Sequence, residues 1–181
     1  MSANLLAAGD RVGEKHTYML DESRSSWAIS DGQVSISFTD FKVHPDLGPA
    51  YTLRIDYMFD LGLLGDQNGS FNLLVPEKIL SDEFKSDLKL NPLKDVISFK
   101  INYHGESQAQ DMAGKNYDNC SVIRIFDLNN KYMPGLENSQ TPLKELTLKV
   151  HPSAQVLGAI QIDIKGKFMG IPFVAGYNLK R

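Results

Sequence analysis

The stretch "AYTLRIDYMFDLG", from Ala50 to Gly62, alternates without a break. Tyr51, Leu53, Ile55, Tyr57, Phe59 and Leu61 fall on one side, and Thr52, Arg54, Asp56, Met58 and Asp60 on the other. Side chains of a β-strand point to opposite faces in turn, whereas a helix returns to the same face about every 3.6 residues. A period of two sustained this long therefore demands an extended strand with one apolar face.

The same beat recurs along the chain. Val34, Ile36 and Phe38 alternate before the phase slips to Phe41 and Val43, which predicts a bulge near Thr39-Asp40. "SFNLLV" groups Phe71, Leu73 and Val75, and "DVISFKINY" groups Ile97, Phe99, Ile101 and Tyr103. "SVIRIFDL" is partly apolar on both faces, which suits a central strand. "KELTLKV" carries Leu146, Leu148 and Val150, and "GAIQIDIKGKF" carries Ile160, Ile162 and Ile164. The last stretch, "KFMGIPFVAGYNLK", reads as a hairpin turning around Gly170 to Pro172.

One helix interrupts the pattern, in "LSDEFKSDLKLNP". Ser81 is its N-cap, Asp82 and Glu83 sit in its first turn, and Leu80, Phe84 and Leu88 repeat on one face before Asn91-Pro92 ends it. The expected fold is all-β, an antiparallel β-sandwich or closely related β-barrel of about eight to ten strands with one short amphipathic helix. Residues 1–17 are expected to form a mobile arm, and residues 18–181 a single β-sandwich domain.

Charge narrows the partners. A net charge of −3 and a pI near 5.8 oppose a general electrostatic grip on nucleic acid. Lys165, Lys167, Lys180 and Arg181 gather near the C-terminus with Phe168 and Tyr177 between them, a combination that stacks single strands elsewhere. Against an acidic total, a solvated terminal hairpin is the stronger reading. The single cysteine, Cys120, permits no internal disulfide and reads as a small buried hydrophobe. No window approaches the roughly 18 apolar residues of a membrane span, and the first residues lack a signal h-region. A soluble, cytoplasmic chain is expected.

Four motifs bear on chemistry. In "LLGDQNGSFNLLVPEKIL", Asp66, Asn68, Ser70 and Glu77 have the spacing of a calcium loop, but Phe71 stands where such a loop needs glycine. Asn68-Gly69 is instead the favoured type I′ pair, which predicts a hairpin turn between "FDLGLL" and "SFNLLV". Ser107 lies in a loose Gly-x-Ser-x-Ala, yet a nucleophile elbow needs a strand-to-helix turn in a parallel sheet. His16, His44, His104 and His151 show no metal-ligand spacing, so no metal and no cofactor are expected. "KVHP" occurs at 42–45 and 149–152, and at the same offset "LRID" at 53–56 aligns with "IQID" at 160–163. That echo is either a duplicated β-unit or a coincidence between strands of similar composition.

No catalytic constellation emerges, so the favoured function is a non-catalytic binding or assembly module rather than an enzyme. It would meet a protein partner, or a second copy of itself, through a sheet face, an edge strand or two polar loops at 104–119 and 129–142. His104 and Ser107 in the first loop and Tyr132 in the second are the candidate contacts. The alternative is a barrel carrier in which Tyr51, Tyr57, Phe59, Phe99 and Tyr103 enclose a small apolar ligand. A hydrolase using Ser107 and His104 is the third reading.

Overall fold

Alternation becomes one continuous sheet in a computed structural model of the chain. The structure describes residues 9–26, 29–45, 47–60, 62, 65–77, 100–126, 143–151, 153, 158–168 and 170–180. Its strands are β1 (Lys15–Asp21), β2 (Asp31–His44), β3 (Gly48–Asp60), β4 (Asp66–Pro76) and β5 (Lys100–Gln110), followed by β6 (Asn116–Phe126), β7 (Leu143–Val150), β8 (Ala159–Phe168) and β9 (Ile171–Lys180). They lie in the order β4-β3-β2-β1-β9-β8-β7-β6-β5, and every neighbouring pair is antiparallel. Two meanders, β1 to β4 and β5 to β9, are thus joined by the pairing of β1 with β9.

This arrangement corrects the expected fold. The all-β, antiparallel character holds, but the described residues form one nine-stranded sheet in place of two separate sheets. Its edges, β4 and β5, do not pair with each other, so no barrel closes. The sheet is sandwich-like because it curls upon itself. Phe59 on β3 meets Phe173 and Tyr177 on β9 at ring-centroid distances of 6.1 and 6.2 Å, although β2 and β1 lie between them in the sheet. Twist accumulating across the strands brings the two apolar faces together. Between β1 and β2 the chain makes a 3-10 turn, Glu22–Arg24. The helix expected after Ser81 lies outside the described residues.

The inner face follows the predicted stripes. Val34, Ile36 and Phe38 of β2, Tyr51, Leu53, Ile55 and Phe59 of β3, and Ile160, Ile162 and Ile164 of β8 are all buried. Burying each such side chain stabilises the fold by about 1.5–3 kcal/mol before chain entropy is counted. The β2–β3 register shifts between Phe38 and Asp40, where the phase slip placed a bulge.

Two local readings are overturned. Asn68-Gly69 is no turn; it lies within β4, opposite Met58 and Tyr57. The connection is made at 61–65, where Gly62 and Gly65 take φ of +58° and +76° and Gly65 N donates to Gly62 O at 3.0 Å. Gly69 is glycine for another reason: a Cβ there would stand 2.6 Å from the Tyr57 hydroxyl and 2.8 Å from its Cζ. The ring of Tyr57 takes the space a side chain would need. The polar run at 104–119 is not a loop either. It is the outer half of the β5–β6 hairpin, whose turn Asp111 organises by accepting from Ala113 N and Lys115 N, both at 3.0 Å. An Asx side chain replaces the hydrophobic signal that would have marked the turn. The second polar run, 129–142, lies outside the described residues.

Both copies of the KVHP echo end a strand and lead into a hairpin, but their registers differ. Ile55 stands opposite Ile36, whereas Ile162 stands opposite Leu148, which the echo aligns with Phe41. The first hairpin closes tightly at His44 and Gly48, and the second spans Val150 to Ala159. His44 and His151 therefore do not occupy equivalent places. At the other end, Gly13 N donates to Phe38 O at 2.8 Å and Phe38 N to Glu14 O at 3.0 Å, tying the chain before β1 to β2.

Candidate functional site

The outer face of the sheet is organised by β8. Its isoleucines point inward, so Gln161, Asp163, Lys165 and Lys167 alternate outward, and the first three are each tied to another element.

Gln161 Nε2 donates to Gln110 O at 3.1 Å, and Lys149 Nζ, on the same face, donates to Gln108 O at 2.8 Å. Met112 N donates to Leu179 O at 3.0 Å. These bonds show that the outer half of the β5–β6 hairpin bends across the sheet and reaches β9. The bend is made by two register shifts in β5, by Gly105 at φ +87° and by Asn119 at φ +57°. Cys120 in this half is fully buried, as its apolar setting predicted, and burial pushes its thiol up. The Tyr117 hydroxyl donates to Asp111 Oδ2 at 3.1 Å, and its ring meets His151 edge-on at 5.5 Å. His151 Nδ1 accepts from Ser153 N at 3.2 Å, so this histidine shapes its own loop.

Asp163 receives Arg24. The guanidinium also donates from Nε to Asp21 Oδ2 at 3.1 Å and from Nη2 to Tyr177 O at 2.9 Å and Asn178 Oδ1 at 2.8 Å. Burial pushes the Asp163 carboxyl up more than Arg24 pulls it down. Burial also pushes Asp21 up, but bonds from Ser23, Arg24 and Asn178 outweigh it and leave that carboxyl low.

Beyond Asp163 the outer face opens into a cleft of about 440 Å³. Glu145 of β7 lies in it, nearly buried. Its Oε1 accepts from Lys165 Nζ at 2.9 Å and its Oε2 from Arg124. Burial pushes this carboxyl up, yet the bonds from Lys165 and Arg124 prevail and hold it below the usual value. The Arg124 guanidinium lies over the Phe126 ring at 5.1 Å. Lys144 and Lys167 also line the cleft, and its ion pairs involve neither of them. Pro172 and Val174 form an apolar wall. Four cations and one carboxylate thus line the cleft, and two of the cations pair with it.

The predicted site residues are dispersed. Tyr51 is buried, its hydroxyl accepts from Gly9 N at 3.1 Å, and its ring packs on Phe38 and Phe41 at 5.1 and 4.7 Å. Tyr57 is half-buried and stacks on the buried Phe59 at 5.2 Å. These rings pack on one another, and the barrel that was to close around a ligand is not formed. Tyr103 stands on β5 opposite Ile123. His104 is exposed, and Ser107, opposite Cys120, donates to Gln108 O at 3.2 Å. Ser107 sits within an antiparallel strand, so no strand-to-helix elbow presents it. Phe99 and Tyr132 lie outside the described residues. Of the basic-aromatic group, Lys165 and Lys167 share the cleft, while Tyr177 is buried in the core and Lys180 ends β9.

Among the described residues no group of three or more His, Cys, Asp or Glu side chains could hold a metal ion, and no helix is long and apolar enough to cross a membrane. The cleft residues Arg124, Lys144 and Glu145 escaped the sequence reading, because charged residues at outward strand positions look like any solvated face. Against known family models, curated proteins and solved structures, the chain matches none.

Proposed function

We propose that this chain is a non-catalytic assembly module in which a second copy pairs along the edge of β4. The asymmetry of the two sheet edges carries this reading. An edge strand presents a row of backbone donors and acceptors, and proteins that stay monomeric guard it with bulges, lysines or inward charges. β5 is guarded: its register breaks twice and its outer half is bent away across β8. β4 pairs with β3 at eleven successive positions, from Ala50–Pro76 to Asp60–Asp66, with no bulge. It contains no lysine or arginine, and Asp66 is its one charged residue.

Two β4 strands set antiparallel about Phe71 bring Asp66 of one copy opposite Pro76 of the other, so no like charges meet. The pairing is twofold and self-complementary, and the guarded β5 edge stops growth at the dimer. Light scattering over a concentration series tests it. The expected mass is twice 20.2 kDa for the native chain, falling to the single-chain mass when the exposed Asn68 and Asn72 are both changed to Lys. A native chain that stays monomeric throughout, or a dimer indifferent to Asn68→Lys with Asn72→Lys, overturns the reading.

A further inference from the structure

We infer that the cleft on the outer face of β6 to β9 is a binding site for a phosphorylated small molecule. It is independent of the β4 edge, from which β8 is separated in the sheet by the four strands β3, β2, β1 and β9. The chain carries a net charge of −3, yet four cations and a single carboxylate line this cleft. Like charges gathered on one face repel, and Glu145 offsets only Arg124 and Lys165. Among the described residues no ion pair neutralises Lys144 or Lys167, and a multiply charged anion would do so.

One feature favours a phosphate ester over a simple carboxylate, and two more suit an organic anion of that kind. The excess positive charge matches a group carrying about two charges or more at neutral pH. Arg124 is oriented before any ligand arrives, because Glu145 holds one edge of its guanidinium and Phe126 supports its face. A planar fork set this way donates to the oxygens of an anion such as phosphate, with lysines adding mobile point charges. Pro172 and Val174 give an organic body apolar surface beside the charged end, and about 440 Å³ falls within the size range of small-molecule sites.

Isothermal titration calorimetry on the full chain, without added metal, tests the assignment with ATP, inorganic triphosphate and adenosine. ATP is expected to bind saturably, inorganic triphosphate more weakly and adenosine not at all, with affinity falling as salt rises. Lys144→Glu combined with Lys167→Glu is expected to weaken ATP by at least about tenfold while leaving the urea midpoint unchanged, because the cleft's ion pairs use neither lysine. Absence of saturable ATP binding at millimolar concentration overturns the proposal. So does equal binding of adenosine, equal binding of inorganic triphosphate, or a double variant that binds ATP like the native chain.

Discussion

The guanidinium of Arg24 spans β9 to meet the carboxylate of Asp163 on β8, and it passes over Gly176. A Cβ at residue 176 would stand 2.7 Å from Arg24 Cβ and 3.0 Å from Asp163 Oδ1. Gly176→Ala is therefore expected to destabilise the fold by about 1–3 kcal/mol in urea unfolding, the usual range for overpacking. An unchanged midpoint would show that the 3-10 turn yields freely.

The same pair predicts a pH-dependent effect. Because burial raises the Asp163 carboxyl, the folded chain holds its proton more tightly than the unfolded chain does. Removing Arg24 leaves that carboxylate without its partner, so Arg24→Ala should destabilise most near neutral pH and less as pH falls through the folded value. Adding Asp163→Asn should recover part of the loss at neutral pH. Equal losses across the pH range would remove Asp163 from the explanation.

Tyr18 and Tyr177 are both fully buried, but they differ in one bond. The Tyr18 hydroxyl donates to Ala159 O at 3.2 Å, whereas the Tyr177 hydroxyl has no hydrogen-bond partner among the described residues. Tyr18→Phe should cost about 1 kcal/mol, and Tyr177→Phe should be neutral or stabilising, since it removes an unsatisfied polar atom. The comparison is a pair of urea curves; a larger loss for Tyr177→Phe would reveal a partner for that hydroxyl.

Tyr57 and Gly69 form a testable cross-strand couple. Gly69→Ala should destabilise when the ring is present and be neutral or favourable in a Tyr57→Ala background, where alanine only gains over glycine in a strand. A double-mutant cycle with no coupling would mean that the ring swings clear.

Glu145 should contribute to acid sensitivity. Its folded carboxyl lies below the usual value, so its stabilisation is present above the unfolded value and lost as pH falls through the folded one. Glu145→Gln should be less stable than the native chain at neutral pH, with the difference shrinking toward acid. Parallel stability curves for the two chains would assign the acid sensitivity to other carboxyls.

Much of the secondary structure was legible in the residues themselves. The Tyr51–Phe59 alternation, the bulge after Phe38 and the inward isoleucines of β8 all follow from side chains that must alternate along an extended backbone. Asn68-Gly69 misled because the same glycine that permits a turn also permits a ring to lie over a strand. The run from His104 to Asn119 misled because its outward residues are polar, although Asp111 and two bulges shape it into a hairpin.

Partnership was decided only in three dimensions. Arg24 and Asp163 are 139 residues apart, and Glu145 draws its cations from β6 and β8. Nothing in the local pattern of these residues names the other, since a strand's period fixes which face a side chain takes but not which strand lies beside it. That choice depends on the pairing of β1 with β9 and on the curl that follows, both set by collapse of the whole apolar face rather than by any one segment.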